Sequence, residues 1–289
     1  MTFKGIYESP EVIPAPCGLF SVSTPEVHTE ADDKWVRHFA YMYDSYATVR
    51  LLTVDDDVVA NGEMSDAASG EIYSEYDPFF IESEIAQSLT NVLAVDQFAR
   101  ALKQLEAVTQ KAVEYELWSG VTALGDTNSN YFLTKSGAAT VVSGTSKTAS
   151  DSLFHLEQAL ADDPLGSTGV IHMTRDVASH LGSKLIYLPE NGSRKESIVT
   201  RLGTKVVVGS GYTGAGPIGN AGAAASATNK WMFASSMPNV HLGKSFVVNE
   251  NLSQGVLDTK NDILIKTIRA AAVYFDPSTL FAAQVTLPA

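Results

Sequence analysis

Residues 95–120, VDQFARALKQLEAVTQKAVEYELWSG, carry the strongest secondary-structure signal in the chain. Apolar residues recur there at helical spacing, Asp96 is suited to be the N-cap, and Gly120 is suited to end the helix. The apolar positions are Phe98, Leu102, Leu105, Val108, Ala112, Val113 and Leu117. At 1.5 Å per residue such a helix would be about 35 Å long. The stretch therefore predicts a structural spine on which shorter elements pack.

Composition describes a folded protein without covalent cross-links. The chain has 289 residues, of which 45% are hydrophobic, enough to bury a core in one large or two smaller domains. Cys17 is the only cysteine, and no Cys/His group has the spacing of a metal site. The N-terminus does not read as a signal peptide, and the uncharged run 206–229 contains too many glycines for a membrane span. We expect an intracellular protein without disulfide, metal or cofactor.

Negative charge is concentrated near the N-terminus. The formal net charge is −13, and residues 26–84 contain fifteen acidic residues against three basic ones, a local balance of −12. Phosphate backbones would repel such a segment, which argues against classical nucleic-acid recognition. Two interpretations stay open: a solvated acidic face, or a surface that docks on basic patches of neighbouring subunits.

Two extended features precede the predicted spine in the sequence. Residues 1–25 contain four prolines and predict an extended arm, which could span about 75 Å. Residues 46–77 are rich in β-branched side chains around Asn61-Gly62, a type I′ turn signal, and predict a long protruding hairpin that leans on a partner. The aspartates Asp55 to Asp57 in this hairpin lack the spacing of a calcium loop.

The second half of the chain alternates between helical and strand patterns, which predicts a compact mixed domain and an α+β fold class. The predicted helices are residues 151–163 and 174–182, and the predicted strands are 169–173, parts of 184–209, and 230–248. Residues 261–287 predict two strands joined by a turn at Asp276-Pro277. We expect this final pair to pack back on the spine.

The stretch 204-TKVVVGSGYTGAGPIG-219 places Gly209, Gly211 and Gly214 at the spacing of a dinucleotide-binding fingerprint. That site also needs a helix after the glycines and an acidic residue about 20 positions further on. Neither follows: more glycines and Pro217 come next, and no Asp or Glu occurs between residues 201 and 249. The stretch therefore predicts a long, mobile glycine-rich loop that joins two strands.

The sequence also lacks a recognisable catalytic constellation. None of its six histidines stands in a metalloprotease pattern, and there is no nucleophile elbow and no complete phosphate-binding loop. His172 lies inside an apolar strand pattern, which favours a hydrogen-bonded core residue. We expect no enzymatic activity.

The order of these elements resembles that of the major capsid proteins of tailed bacteriophages, the HK97-like fold. The resemblance extends to short sequence segments, which are most similar to those of capsid proteins of phages that infect actinobacteria. The matching segments are GLFSV (18–22), KAVEYELWSG (111–120), GVIHM (169–173), RLGTKVVVGSGYTGAGP (201–217) and YFDPSTLFAAQVTL (274–287).

The resemblance implies a division of the chain and two sets of contact residues. The implied regions are an N-terminal arm (1–40), an E-loop (41–77), a peripheral domain (78–120 and 256–289) and an axial domain (121–255). The implied capsomer-axis loop is Gly209, Gly211, Tyr212, Gly214, Gly216 and Pro217, and the E-loop residues implied to contact a neighbouring copy are Asp55, Asp56, Asp57, Asn61, Gly62 and Glu63. With the capsomer-axis loop at a projecting tip, valine at Gly211 and Gly214 would impair capsomer closure and leave the helix content of the monomer intact.

The implied function is self-assembly into pentamers and hexamers that close into an icosahedral shell around packaged double-stranded DNA. The chain would then be part of a virion assembled in the host cytoplasm. Its partners would be copies of itself, with a separate scaffold, portal and decoration proteins as further candidates, non-specific DNA contact at most, and no membrane. Two alternatives stay open, an encapsulin shell and, more remotely, a nucleotide-binding enzyme. Prolines at 10, 14 and 16 disfavour the N-terminal cargo-docking helix that an encapsulin would have.

We predict a shell whose copies are not covalently cross-linked. Some relatives join an E-loop lysine to an asparagine of a neighbour, but this chain has no lysine between Lys34 and Lys103. Mature particles should therefore run as a single monomer band on a denaturing gel. A ladder of covalent oligomers would contradict this prediction.

Overall fold

The computed structural model describes residues 15–28, 39–43, 72–76, 78–88, 97–120, 130–163, 169–188, 197–248 and 262–288. In chain order the helices are α1 (Leu19–Val22), α2 (Gln97–Ser119), α3 (Ala149–Ala161) and α4 (Arg175–Leu181), with a 3-10 turn over Gly182–Lys184. The strands are β1 (Glu26–His28), β2 (Phe39–Tyr43), β3 (Ile72–Tyr76), β4 (Phe79–Ser88), β5 (Thr140–Lys147), β6 (Val170–Thr174), β7 (Leu185–Leu188), β8 (Ser197–Thr200), β9 (Lys205–Gly209), β10 (Asn229–Ser235), β11 (Asn239–Gly243), β12 (Phe246–Val247), β13 (Asp262–Tyr274) and β14 (Leu280–Thr286).

The predicted spine is confirmed as α2, which has 23 residues. Its apolar stripe is buried at Leu105, Val113 and Leu117, whereas Val108 lies at the edge of the stripe and is 43% exposed. Gly120 ends the helix in the left-handed region (φ +60°), a conformation that glycine adopts without strain, and its N–H donates to the carbonyl of Glu116. The predicted N-cap, Asp96, lies outside the described residues.

A five-stranded sheet packs against this spine. Its order is β1-β11-β13-β12, and β4 pairs with β13 along ten residues, from Phe79↔Ala271 to Ser88↔Asp262. Side chains from α2 and from β4, β11 and β13 share one hydrophobic core, which includes Leu105, Ile81 and Val273. The long strand β13 therefore pairs with β4, β11 and β12 and shares a core with the spine.

A seven-stranded sheet in the order β5-β14-β10-β6-β9-β8-β7 forms the second layer of the fold. Every residue of β6 is buried, as expected for a strand inside a sheet that is covered on both faces. Helices α3 and α4 contribute Leu153, Leu156 and Val177 to its core. The side chain of Thr148 caps α3 by accepting from the N–H of Asp151.

The path of the chain differs from the prediction in one segment, 230–248, and follows it in the final strand pair. The segment 230–248, predicted as one strand, forms β10, β11 and β12, and of these β11 and β12 join the five-stranded sheet. The final strand pair packs on the spine as expected, because Val273 of β13 and Leu280 of β14 share a core with Leu117 of α2. Its second strand, β14, lies between β5 and β10 in the seven-stranded sheet. Local patterns identify strands, but the partner of a strand depends on contacts that are distant in sequence. The division into arm, E-loop, peripheral and axial regions stays a prediction.

The N-terminal segment is not extended throughout. Residues 19–22, within the predicted arm, form the helical turn α1, and Leu19 is fully buried against the core. Of the hairpin predicted for residues 46–77, the structure describes residues 72–76. They form β3, which pairs antiparallel with β2, a strand that lies before the predicted start, in register from Phe39↔Tyr76 to Tyr43↔Ile72. The remainder of the predicted hairpin, with its turn signal at Asn61-Gly62, lies outside the described residues, so this part stays a prediction.

His172 in β6 is a hydrogen-bonded core residue, as predicted. It has no exposed surface, and its Nδ1 lies 2.8 Å from Tyr212 Oη and its Nε2 2.9 Å from Ser235 Oγ. Burial disfavours the charged imidazole and lowers the pKa of His172 to about 3. The residue is therefore neutral in the folded protein near neutral pH.

We predict that His172 makes the subunit less stable in mild acid. Below pH 6.5 the unfolded chain takes up a proton at this position and the folded chain does not, so stability falls as the pH falls from 6.5 towards 3. Between pH 7.5 and pH 5 this one group should remove about 2 kcal/mol from the free energy of unfolding. Urea unfolding of the unassembled subunit measures the loss, and His172→Asn should reduce it by about that amount.

The matched control is His180→Asn, because His180 is exposed near the end of α4. This variant should retain the wild-type pH dependence. Equal pH dependence in His172→Asn and wild type would show that the buried imidazole is not the cause.

Candidate functional site

The glycine-rich stretch joins β9 to β10, as predicted, and residues 210–228 between them contain no helix. The missing helix removes the feature that a dinucleotide-binding site requires after its glycines. All six residues assigned to the capsomer axis are buried within the subunit: Gly209, Gly211, Tyr212, Gly214, Gly216 and Pro217. They form the packed half of the loop and do not project from it.

A buried carboxylate holds this loop on the spine. Glu114 of α2 has no exposed surface, and its Oε2 accepts from the backbone N–H groups of Ser210 (2.7 Å) and Gly211 (2.9 Å). Its Oε1 accepts from the backbone N–H of Leu19 (2.9 Å) and from Gln110 Nε2 (2.9 Å). The Ser210 hydroxyl also donates to Oε2, at 3.1 Å. Hydrogen bonds to a charged acceptor are stronger than neutral ones, so this cluster fixes the N-terminal segment, the spine and the loop together.

Two glycines let the backbone approach this carboxylate. A Cβ atom at Gly211 would lie 2.2 Å from the carbonyl oxygen of Lys111 and 2.8 Å from the backbone nitrogen of Tyr115. On the other side of the carboxylate, a Cβ atom at Gly18 would lie 1.8 Å from Gln110 Nε2. Since contacts under 3.0 Å are not tolerated, any larger residue at Gly211 must push the loop away from α2.

This packing argues against the expectation that valine at Gly211 and Gly214 acts on capsomer closure and leaves the helix content of the monomer intact. Valine at Gly211 collides with the backbone of the spine helix, and Gly214 has a φ of +78°, where a β-branched residue is strained. The double variant would disturb the fold of the single chain before any effect on assembly.

Aromatic side chains hold the remainder of the packed half. The ring of Tyr212 lies 4.6 Å from that of Trp118, centroid to centroid, and burial, followed by the negative charge of Glu114, raises the pKa of Tyr212 well above its usual value. The indole N–H of Trp118 donates to the carbonyl of Ala215 (3.1 Å). Trp231 donates its backbone N–H to Gly214 and its indole N–H to Gly222. The loop is thus attached to the core at both ends of its packed half.

Residues 218–228 form an exposed arc at the surface of the subunit. Ten of its eleven residues are exposed, with only Ala223 half-buried, and Ile218 is 55% exposed. The sequence of the arc, IGNAGAAASAT, is small and uncharged. Its ends are held by hydrogen bonds from the Ile218 N–H to the carbonyl of Thr134 (2.8 Å) and from the Leu287 N–H to the carbonyl of Thr228 (2.8 Å). The residues that the sequence analysis assigned to the capsomer axis lie in the packed half of the loop, and their role at an axis stays a prediction.

The remaining site predictions fall elsewhere. The E-loop residues Asp55, Asp56, Asp57, Asn61, Gly62 and Glu63 lie outside the described residues, so their role stays a prediction. Among the described residues, no helix is long and apolar enough to cross a membrane.

One cluster of potential ligands was missed by sequence reasoning, which expected no metal. Glu26, His28 and His241 place one ligand atom each within 4.8 Å of one another. The sequence carried half of the signal, because Glu26 and His28 alternate along a strand and share a face. His241 is 213 residues from His28, so only the fold brings it to the other two.

We predict that Glu114 is essential to the stability of the folded chain. Glu114→Gln replaces one acceptor oxygen with a donor, so at least one of the buried N–H groups that face it loses its partner. An unpaired buried donor costs about 1–3 kcal/mol, and we expect the free energy of unfolding to fall by about 3 kcal/mol. Urea unfolding of the unassembled protein measures this.

The control is Glu106→Gln, an exposed position on the same helix. It should change the free energy of unfolding by less than about 0.5 kcal/mol. If the two variants were equally stable, the carboxylate would not have the structural role assigned to it.

Known proteins resemble this chain in fold and not in sequence. No protein-family model matches the chain, and neither does any curated protein sequence. Solved structures match along the full length. The capsid of an empty GTA particle is 12% identical with a TM-score of 0.55, covering 100% of this chain and 93% of that one. The capsid of Ralstonia phage GP4 is 11% identical with a TM-score of 0.53, covering 100% and 96%.

The holo-SrpI encapsulin complex from Synechococcus elongatus PCC 7942 is also similar, with 8% identity, a TM-score of 0.50, and coverage of 98% of this chain and 91% of that one. At such low identities the likeness concerns the fold alone. The chain has the HK97-like capsid fold, a mixed α+β fold built on one long helix.

Proposed function

We propose that this chain is a major capsid protein, whose copies assemble into pentamers and hexamers that form the icosahedral shell around a phage's double-stranded DNA genome. The observation that carries the proposal is the match of the whole chain, from arm to final strand, to capsid proteins of similar length. Such a role is structural and needs no catalytic residue. Many modest contacts per copy suffice, because each copy makes several at once.

The glycine-rich loop supports a structural role over an enzymatic one. The N–H groups of Ser210 and Gly211, which a bound phosphate would need, already donate to Glu114. The loop is therefore suited to present a fixed surface. We propose that the exposed arc, residues 218–228, is the part that meets its copies around the five-fold or six-fold axis of a capsomer.

The chemistry of the arc fits a crowded axis. Around such an axis identical residues face one another, so any charge would face a like charge and repel it. The arc has no charged residue, and its alanines and glycines allow close backbone approach. The six buried residues from Gly209 to Pro217 would then anchor the arc to the core of the subunit.

The N-terminal part of the chain would supply contacts between neighbours. In the proposed division, residues 1–40 are the arm and 41–77 the E-loop, with Asp55, Asp56, Asp57, Asn61, Gly62 and Glu63 at an interface. The local excess of negative charge would favour basic patches on a neighbouring copy. The peripheral region, 78–120 and 256–289, and the axial region, 121–255, would share strands, since β14 lies in the seven-stranded sheet.

The chain would be part of a virion that is assembled in the host cytoplasm. The short sequence segments that resemble actinobacterial phage capsid proteins favour a phage of actinobacteria. A separate scaffold, a portal and decoration proteins would complete the particle. Contact with DNA would be non-specific at most, in keeping with the acidic balance of the chain.

An encapsulin shell is the second candidate, because the encapsulin complex is similar along almost the whole chain. The prolines at 10, 14 and 16 disfavour an N-terminal cargo-docking helix and so favour the capsid. The contents of native particles distinguish the two functions. Nuclease-protected DNA of genome length is expected for a capsid, whereas an enclosed protein without DNA would make the chain an encapsulin.

We predict that one charge in the arc blocks assembly. Ile218→Asp places a carboxylate at each symmetry-related position, so the copies should repel one another. Sedimentation velocity and negative-stain microscopy should show rings or shells for the wild type and at least about tenfold less assembled protein for the variant. The urea unfolding midpoint should not change, because Ile218 is exposed.

Leu202→Asp is the matched control, since Leu202 is 80% exposed and lies outside the arc. It should assemble like the wild type. Normal assembly of Ile218→Asp would overturn the role of the arc, and a wild-type protein that stays monomeric at high concentration and with its scaffold would overturn the shell function.

A further inference from the structure

Two histidines and a glutamate meet where the N-terminal segment joins the five-stranded sheet. Strand β1 pairs parallel with β11 in the register Glu26↔His241 and His28↔Gly243. His28 Nε2 lies 2.9 Å from His241 Nδ1, and Glu26 Oε2 lies 3.5 Å from the same nitrogen. His241 is buried, His28 is half-buried, and the Glu26 side chain is 68% exposed, so the cluster opens to solvent on one side.

These three groups have the ligand chemistry of a zinc site, and their ligand atoms lie within 4.8 Å of one another. Zinc binds imidazole nitrogen and carboxylate oxygen at about 2.0–2.2 Å, and two histidines with one glutamate leave the fourth tetrahedral position for water. Tetrahedral ligand atoms at that bond length lie about 3.3 Å apart. The distance from Glu26 to His241 is already close to this value. The two histidine nitrogens must separate by about 0.4 Å, which a small rotation of the half-buried His28 can provide.

A third strand orients the buried ligand. Nε2 of His241 lies 3.2 Å from the hydroxyl of Tyr274 on β13, a side chain that is 8% exposed. When His241 donates its Nε2–H to Tyr274, its Nδ1 presents a lone pair to the cluster, as outer partners of metal-bound histidines commonly arrange. His28 then carries its proton on Nδ1 and presents Nε2.

We propose that Glu26, His28 and His241 form a binding site for zinc or a similar divalent transition metal. The bound metal would cross-link β1 to β11 of the five-stranded sheet. Only three residue pairs join β1 to β11. A metal that bridges the two strands would add a strong cross-link at this short contact. All three ligands belong to one chain, so the proposed site does not depend on the shell function.

The test is metal titration of the full chain, purified without an affinity tag and stripped with EDTA. Calorimetry with ZnCl₂ should show one saturable site per chain, and CoCl₂ should produce the intense visible absorption of tetrahedral Co²⁺. His28→Gln and Glu26→Gln should each lower the affinity at least about tenfold. Both side chains lie on the open side of the cluster, so the variants should fold, which circular dichroism checks.

His180→Gln is the control, because His180 is an exposed histidine away from the cluster. It should bind zinc like the wild type. Added zinc should also raise the melting temperature of the wild type and of His180→Gln, and not that of His28→Gln. The proposal is overturned if the wild type takes up no zinc saturably, or if folded His28→Gln and Glu26→Gln bind it with unchanged affinity.

Discussion

The buried carboxylate of Glu114 is the interaction on which the rest of the fold depends. An ionised carboxylate without partners would be very costly in a protein core, so a buried one must be surrounded by donors. Here the donors come from three parts of the chain: the turn at Leu19, the spine helix itself, and the loop at Ser210 and Gly211. Each donor brings its segment against the helix. One side chain thereby joins the N-terminal segment, the spine and the glycine-rich loop into a single core.

The same interaction explains a sequence motif that suggested a different function. Glycines at the spacing of a dinucleotide fingerprint do gather backbone N–H groups around an anion, as the motif's physics requires. The anion is part of the protein, because Glu114 supplies it where the loop closely approaches the helix. The glycine at 211 is required by contact with backbone atoms of Lys111 and Tyr115. With its first half fixed in this way, the loop presents residues 218–228 as a defined, uncharged surface.

Sequence patterns predicted the elements of this fold better than their partners. The spine was predictable because its apolar residues repeat at helical spacing over about six turns, and the turn at Gly120 because a helix commonly ends at glycine. The pairing of β14 with β5 and β10 was not predictable, since alternation along a strand carries no information about which strand lies beside it. Glu114 looked like an ordinary polar residue beside Val113, and nothing local indicates that it is buried. His28 and His241 were likewise separated by most of the chain.

In the proposed shell, Glu114 holds the glycine-rich loop on the spine, and the exposed arc meets its copies around the symmetry axes. A cryo-EM reconstruction of assembled particles, at a resolution that shows side chains, tests both parts together. We expect density for the Glu114 carboxylate in contact with the N–H groups of Ser210 and Gly211, with residues 218–228 lining the five-fold and six-fold axes. A loop detached from the helix, or an arc that faces away from the symmetry axes, would contradict the account.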